Sequence, residues 1–253
     1  MLDSIWFTKF QPKLAPQLRL ICFPYAGGSA STFYSWASKL PACVELVAIQ
    51  LPGRGNRFNE SPYSNMDDLI QSLLVDFKSI MDKPYILFGH SLGSRVAFEL
   101  MNQIKQEDLR LPIHFVASGS KGPNCHPRKE PIHHLPAKEF IHELSNLNGT
   151  PKEVLKNKEI MELYLPTLRA DFQMAHEYIY KCDDVFNCPI SVLGGEQDID
   201  ITLSDLESWG KHFQAPYNVH ILPGDHFFVD SHSEQVLKQI NRIIQDLLNS
   251  RSC

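Results

Sequence analysis

Short apolar segments alternate along the chain with longer segments in which apolar residues recur at helical spacing. The short segments are rich in β-branched and aromatic residues, and most lack strict alternation, as is typical of strands covered on both faces. Strands are predicted at 18–23, 44–51, 85–88, 114–117, 190–193 and 219–222. Strands that alternate with helices predict an α/β fold, with a mostly parallel sheet and helices on both of its faces.

The alternation stops between 131 and 182, where no convincing strand occurs. Helical segments are predicted there instead, at 137–147, 152–163 and 166–180. We interpret this stretch as a helical lid inserted at about 131–182 into a single domain that spans 1–253, because no linker or repeat divides the chain. Such lids hold apolar residues more often as their own core than as a wall for substrate. The candidates for either role are Phe140, Leu144, Leu163, Leu165 and Phe172.

Composition and charge exclude several classes of partner. The 253 residues are 43% hydrophobic and 21% charged, which is ordinary for a soluble globular protein. The formal net charge of −5 offers no basic field for phosphate backbones, so we expect no nucleic acid. Six cysteines lack the paired spacing of a zinc site, so we expect reduced thiols and no metal. No apolar run reaches membrane-spanning length and no leader-like start is present, so we expect a cytoplasmic protein without membrane contact.

The candidate nucleophile is Ser91, in the pentapeptide Gly89-His90-Ser91-Leu92-Gly93. Gly-x-Ser-x-Gly occurs by chance in roughly one chain in ten of this length, so its setting matters. A strand is predicted directly before it and an amphipathic helix directly after it, which is the context of a nucleophile elbow in the α/β-hydrolase fold. Glycines two residues away on either side leave room for a serine on a strained turn. A simple helix cap is the plainer role for this serine, but the flanking elements favour the nucleophile.

A serine nucleophile needs a histidine base, which in this fold comes last in the chain order Ser, acid, His. His226 follows the last predicted strand directly. His220 lies within that strand, and His232 lies at the start of the final helix. The position in a loop therefore favours His226 as the base.

The acid is expected in the loop after the strand at 190–193, where it would accept a hydrogen bond from histidine Nδ1–H. Asp198 is the favoured residue, and Asp200 and Glu196 are its rivals. Asp225, adjacent to His226, is better placed for a local turn hydrogen bond.

Two backbone N–H groups are predicted to stabilise the oxyanion. One is that of Leu92, which follows the nucleophile, and the other comes from the loop after the strand at 18–23. In that loop the adjacent glycines 27 and 28 allow a peptide group to turn toward a ligand, so Ala26 is favoured and Tyr25 is second. A tight turn without a ligand is the alternative.

Five blocks of sequence together resemble the type II thioesterases of polyketide and nonribosomal peptide synthesis, over nearly the whole chain from Leu20 to the last helix. The blocks are Phe23-Pro24-Tyr25-Ala26-Gly27-Gly28, Leu51-Pro52-Gly53-Arg54-Gly55-Asn56-Arg57, Gly89-His90-Ser91-Leu92-Gly93, Leu165-Pro166-Thr167-Leu168-Arg169-Ala170-Asp171 and Pro223-Gly224-Asp225-His226-Phe227-Phe228. At the matching positions the resemblance implies a triad and two oxyanion donors. They are Ser91, Asp198 and His226, with Ala26 and Leu92.

The resemblance implies hydrolysis of acyl groups stalled on the phosphopantetheine arm of an acyl- or peptidyl-carrier protein. The activity would be editing or release, and medium-chain release from fatty-acid synthase is the related variant. No cofactor is expected beyond the phosphopantetheine of the substrate, and the protein is expected to be a monomer. A general carboxylesterase or lipase with the same triad is the alternative enzyme, and an inactive binding module on the same fold is the alternative of another class.

The chain departs from the family at positions outside the triad. Family members often have Glu where Gly55 stands, Met where Leu92 stands and an Arg-rich run at 118–121. We interpret Arg54, Arg57 and Arg169 as structural residues that hold the loop and the lid, rather than as phosphate ligands.

Overall fold

The computed structural model describes residues 4–126, 128–147, 157–182 and 184–250. Within these ranges one seven-stranded sheet has the order β1-β3-β2-β4-β5-β6-β7. Every neighbouring pair is parallel except β1 and β3. The predicted mostly parallel sheet is confirmed. The strands are β1 (Phe7–Thr8), β2 (Leu18–Phe23), β3 (Val44–Ile49), β4 (Tyr85–His90), β5 (His114–Ser118), β6 (Ile190–Gly195) and β7 (Asn218–Leu222).

Successive residues of the central strands enter two different cores. In β4, Tyr85 and Leu87 face one core, whereas Ile86 and Phe88 face the other, as the pleat of a strand requires. Helices α1 (Met66–Phe77) and α2 (Leu92–Gln106) cover the first face. The 3₁₀ segment Ala30–Trp36 and the C-terminal helix cover the second. Because both faces are buried, the central strands are continuous apolar runs in the sequence.

Helix α2 begins directly after Ser91. The predicted amphipathic helix is confirmed, because its stripe of apolar residues at 92, 96, 97, 100, 101 and 104 is buried throughout. The stripe packs on the sheet and also against α1. The nucleophile therefore lies at the junction of a buried strand with a helix that is firmly packed along its length.

The region of the predicted lid contains α3 (Ala137–Asn146) and α4 (Lys158–Glu177). The prediction of two helices at 152–163 and 166–180 is wrong over the described residues, because α4 runs without interruption through Pro166. Tertiary contacts hold the turn after the proline: the Thr167 hydroxyl donates to the Gly53 carbonyl oxygen at 2.7 Å. Residues 152–156 lie outside the described ranges.

Of the apolar residues expected in the lid, Phe140 and Leu144 are buried in a small core of their own, and Leu165 and Phe172 pack at its edge. Leu163 is exposed. The lid boundaries and the single-domain division stay predictions. The remaining helices are α5 (Leu203–Glu207), α6 (Phe228–Ser231) and α7 (Ser233–Asn249). In the described part of the chain no helix is long and apolar enough to cross a membrane.

Candidate active site

Ser91 lies on the sharp turn between β4 and α2 with φ 53° and ψ −118°, a backbone conformation that side chains rarely adopt. The glycines two residues away on either side, Gly89 and Gly93, have no space for a side chain. A Cβ at Gly89 would lie 2.4 Å from the Gly93 carbonyl oxygen, and a Cβ at Gly93 would lie 2.2 Å from the Phe23 carbonyl oxygen. The two glycines therefore allow α2 to approach β2 and β4 closely enough to hold the strained serine.

The side chains of Ser91, His226 and Asp198 form one chain of hydrogen bonds. His226 Nε2 lies 2.9 Å from Ser91 Oγ, and His226 Nδ1 lies 2.7 Å from Asp198 Oδ2. The other carboxylate oxygen of Asp198 accepts from the backbone N–H groups of Asp200 and Ile201 at 3.0 and 3.2 Å. This is the arrangement in which an imidazole can remove the proton of a serine hydroxyl.

The side chain of Asp198 is almost completely buried, yet it stays ionised. Burial alone would raise its pKa, but the hydrogen bond and the charge of His226, together with two backbone N–H groups, outweigh burial and lower the pKa. An ionised carboxylate at this position holds a proton on His226 Nδ1 and leaves Nε2 free to accept one.

The rival residues are engaged elsewhere. The carboxylate of Asp200 pairs with Lys129, that of Glu196 accepts from Gln197, and that of Asp225 accepts from the Phe227 N–H in a local turn. His232 Nδ1 contacts the Ser231 hydroxyl, and His220 lies on β7. Of the acids and histidines weighed from the sequence, only His226 and Asp198 thus join Ser91 in one series of hydrogen bonds in the described part of the chain.

Ala26 and Leu92 lie at the same edge of the sheet, because β2 and β4 are parallel neighbours with Phe23 opposite Gly89. Gly27, next to Ala26, has φ +77° and so turns the loop after β2. Within the described ranges, neither the Ala26 N–H nor the Leu92 N–H donates to a protein acceptor. Tyr25, the second choice for the loop, uses its hydroxyl to donate to Asp230 Oδ2 at 2.7 Å.

A buried ion pair that the sequence analysis did not assign holds the loop after β2. Arg54 Nη2 donates to Asp171 Oδ1 at 2.8 Å, and the Gly27 N–H donates to Asp171 Oδ2 at 2.7 Å. Both charged side chains are at most 2% exposed. Gly27, Arg54 and Asp171 come from three of the five sequence blocks, and all three meet at the Asp171 carboxylate. The joint occurrence of these blocks is the sequence signal for the ion pair.

The interpretation of the three arginines as structural is confirmed by these contacts. Arg54 is buried against Asp171. Arg57 donates to Glu60 and stacks over Trp6, with its guanidinium carbon 4.1 Å from the ring centroid. Arg169 donates to the His133 carbonyl oxygen and lies over Phe140.

His90, inside the serine pentapeptide, also belongs to the site although the sequence analysis assigned it no role. Its Nε2 lies 2.8 Å from the carbonyl oxygen of His226, and its Nδ1 lies 2.9 Å from Ser118 Oγ. A carbonyl only accepts, so Nε2 carries the proton and Nδ1 accepts from the serine. Burial, together with the nearby His226, lowers the pKa of His90 to about 3, so this histidine is neutral.

A cavity of about 350 Å³ opens beside Ser91. Its lining includes Leu92, residues of the segment after β5, residues of α4 and residues of the loop after Asp198. The grooves elsewhere, of about 530 and 700 Å³, contain none of the three hydrogen-bonded residues. Among the described residues no group of three or more His, Cys, Asp or Glu could hold a metal ion.

Comparison with known proteins points to one family. The family model described as a thioesterase domain matches residues 18–244. The gramicidin S biosynthesis protein GrsT of Aneurinibacillus migulanus is 41% identical, with 88% of each chain covered. The medium-chain S-acyl fatty acid synthase thioesterase of Rattus norvegicus is 30% identical, with 83% of this chain and 81% of the relative covered.

A solved structure is also similar throughout its length. YbtT, described as a type II thioesterase from the yersiniabactin NRPS/PKS biosynthetic pathway, superposes with a TM-score of 0.82 at 28% identity. The match covers 94% of this chain and 97% of YbtT.

Proposed function

The chain belongs to the thioesterase family, and on this premise we propose that it releases acyl groups as free acids from the phosphopantetheine arm of a carrier protein. The observation that carries the proposal is the hydrogen-bonded series Asp198, His226 and Ser91, which opens on a cavity large enough for an acyl group. The relatives work in gramicidin S biosynthesis, in an NRPS/PKS pathway and with fatty acid synthase. Editing or release in such a synthesis is the corresponding role for this chain.

The reaction follows from the positions of three atoms. His226 Nε2 takes the proton of Ser91 Oγ while that oxygen attacks the thioester carbonyl carbon. The carbon–sulfur bond then breaks, the thiol leaves with the proton, and the acyl group stays on Ser91. Water, deprotonated by the same nitrogen, attacks the acyl-enzyme ester and restores the Ser91 hydroxyl. Asp198 stabilises the imidazolium that forms twice in each cycle.

The oxyanion of both tetrahedral intermediates would be bound by the N–H groups of Ala26 and Leu92. Each such donor contributes about 3 kcal/mol to stabilisation of the transition state. The Asp171 carboxylate fixes the neighbouring Gly27 N–H, so the loop is held before substrate arrives. A thioester suits this site because a thiolate leaves readily and the oxyanion carries most of the developing charge.

The proposal implies a carrier protein as partner. A monomeric state, a cytoplasmic location, and the absence of a cofactor and of nucleic-acid or membrane partners stay predictions.

The test compares three substrates with the same acyl group: an acyl-carrier protein, an acyl-pantetheine and a p-nitrophenyl ester. We expect kcat/KM to be highest for the carrier-bound thioester and to be lost in Ser91→Ala. Strong preference for the oxygen ester, with carrier-bound thioesters left intact, would contradict the proposal and favour a carboxylesterase. Failure to turn over any substrate would favour a binding module.

A further inference from the structure

The cavity beside Ser91 is lined by four basic side chains, two of which are neutralised. Arg128 donates to both carboxylate oxygens of Asp205, at 2.7 and 2.8 Å, and Lys129 pairs with Asp200. The four are Arg95, Lys121, Arg128 and Lys129.

The other two cations, Arg95 and Lys121, form no ion pair with any residue that the structure describes. Arg95 is 8% exposed, and its Nη1 donates to the Ala175 carbonyl oxygen at 2.6 Å. Its guanidinium carbon lies 5.4 Å from the centroid of the Tyr178 ring. A buried cation is costly without a counter-ion, and among the described residues Arg95 has none.

The neighbourhood of these two groups supports this description. Burial lowers the pKa of Arg95, and burial together with the nearby Arg95 lowers the pKa of Lys121, with Asp205 acting in the opposite direction. Glu130 also lines the cavity, but it is exposed to solvent. The two cations therefore reinforce one positive potential in the cavity.

Arg95 is placed to meet the acyl part of a substrate. It lies four residues after Ser91, in the first turn of α2 and about 6 Å further along the helix axis, and both residues line the same cavity. Side chains on a helix lean toward its N-terminus, so the arginine leans back toward the nucleophile. The phosphate of a phosphopantetheine arm would lie at the far end of the arm from the thioester, toward the mouth of the cavity.

We infer that Arg95 and Lys121 form a subsite for a carboxylate carried by the acyl chain, so that the cavity accepts half-thioesters of dicarboxylic acids. Such a carboxylate supplies the missing counter-charge, and the planar guanidinium of Arg95 provides charge-assisted hydrogen bonds to it. The inference rests on the proposed function, because the acyl group reaches this subsite as a thioester on its way to Ser91.

The experiment uses four substrates, butyryl and succinyl thioesters of pantetheine and of 4′-phosphopantetheine, so that the carboxylate and the phosphate vary separately. The variant is Arg95→Met. The control is Lys105→Met, on the same helix and with the same loss of charge, whose side chain pairs with Asp184 and does not line the cavity. Lys121→Met is the second variant should Arg95→Met not fold, as judged by circular dichroism.

We expect the succinyl-to-butyryl ratio of kcat/KM to fall about tenfold or more in Arg95→Met, whichever thiol carries the acyl group. Arg95→Lys should recover part of the ratio, and Lys105→Met should leave it unchanged. A ratio equal to that of the parent enzyme in both cavity variants would overturn the inference. So would a variant that weakens only the phosphorylated substrates, because the anion would then be the phosphate.

Binding to Ser91→Ala, measured by calorimetry, separates this inference from the proposed function. We expect succinyl-pantetheine to bind more tightly than butyryl-pantetheine, and the difference to vanish when Arg95→Met is added. If this difference in binding is found but the parent enzyme hydrolyses no thioester, the subsite is supported and the proposed function is rejected. Equal affinity for the two thioesters would reject the subsite whether or not the enzyme is active.

Discussion

Ser91 is held in place by residues close to it in the sequence and by residues far from it. Gly89 and Gly93 permit its strained backbone, which a side chain at either position would push away from β2 or α2. His226 contacts the hydroxyl from the loop after β7, and Asp198 fixes the imidazole. The two hydrogen bonds that connect these three side chains are 2.7 and 2.9 Å long. Because proton transfer depends on both, loss of any one of the three side chains should lower the rate severely.

Replacement of Ser91 or His226 by Ala should reduce kcat by about 10⁴-fold or more, because the members of a triad act as a unit. Asp198→Asn should lower kcat by roughly 10⁴-fold, since it favours the wrong tautomer of His226. Steady-state hydrolysis of an acyl-pantetheine measures each effect. His220→Ala and Glu196→Gln are the controls and should stay active. Full activity in Asp198→Asn would reassign the acid.

His90 should act as a positioning residue for His226. Replacement by Ala removes the donor to the His226 carbonyl oxygen, so we expect kcat to fall about tenfold, the effect of one lost hydrogen bond, while KM changes little. His90→Gln, which retains an N–H donor, should recover part of kcat. If both variants raise KM and leave kcat unchanged, His90 does not position the base.

At the scale of elements, the Asp171 carboxylate connects α4, the loop after β2 and the segment that carries Arg54. The contact joins residues more than a hundred positions apart, and it keeps α4 against the sheet edge where Ser91 lies. The same contact surface explains why α4 continues through Pro166: Thr167 and Asp171 are bound on the inner side of the helix. Tertiary bonds here outweigh the local preference of proline to end a helix.

Asp171→Asn should lower the free energy of unfolding by about 3–5 kcal/mol, because it leaves a buried guanidinium without its counter-ion. It should also reduce kcat, because the loop that carries Ala26 loses its anchor. Urea denaturation and steady-state kinetics measure the two effects.

Glu60→Gln is the matched control, since it removes the partly exposed partner of Arg57 and should cost less than about 1 kcal/mol. The double replacement of Arg54 and Asp171 by Leu should regain stability but not kcat. Recovery of both would show that the pair serves stability alone.

At the scale of the whole molecule, acid should destabilise the fold through two kinds of group. Glu45, Asp82, Asp198 and Asp205 have lowered pKa values, so their contribution is present above the pKa of the unfolded chain and is lost as pH falls through the folded value. His90 and His114 are buried, and burial lowers the pKa of His114 to about 4. Below pH 6.5 these histidines bind protons more readily in the unfolded chain than in the folded one.

The free energy of unfolding should therefore fall steadily from about pH 6.5 to pH 4, with each such histidine contributing at most about 1.4 kcal/mol per pH unit. His114 isolates one contribution, because it lies on β5 with its Nε2 3.0 Å from Ser191 Oγ and takes no part in the site. In His114→Gln, the free energy of unfolding measured by urea denaturation at constant ionic strength should fall less steeply with pH over this range than in the parent protein. A slope equal to that of the parent protein would contradict the assignment.

Much of the fold and of the candidate site could be predicted because both produce patterns among residues that are close in the sequence. Buried parallel strands appear as apolar runs, the stripe of α2 has helical period, and an elbow needs glycines at fixed spacing. These features identified six of the strands and placed Ser91, His226 and Asp198 where the structure brings them together. β1 was not predicted, because a strand of two residues is too short to show an apolar run or an alternation of apolar and polar residues.

The sequence by itself determined the fold class, the chain order of the triad and the two glycines that the nucleophile requires, because each depends on residues that are near one another or in a fixed order. Only the tertiary structure decided what depends on pairs distant in sequence. These are the Arg54–Asp171 pair, the bond from His90 to the His226 carbonyl, the continuity of α4, and the placement beside Ser91 of Arg95, which has no ion-pair partner among the described residues. The physical reason is that burial of one face of a helix or strand produces a periodic pattern of apolar residues in the sequence. The partner of a buried polar side chain, by contrast, depends on which distant elements pack against each other.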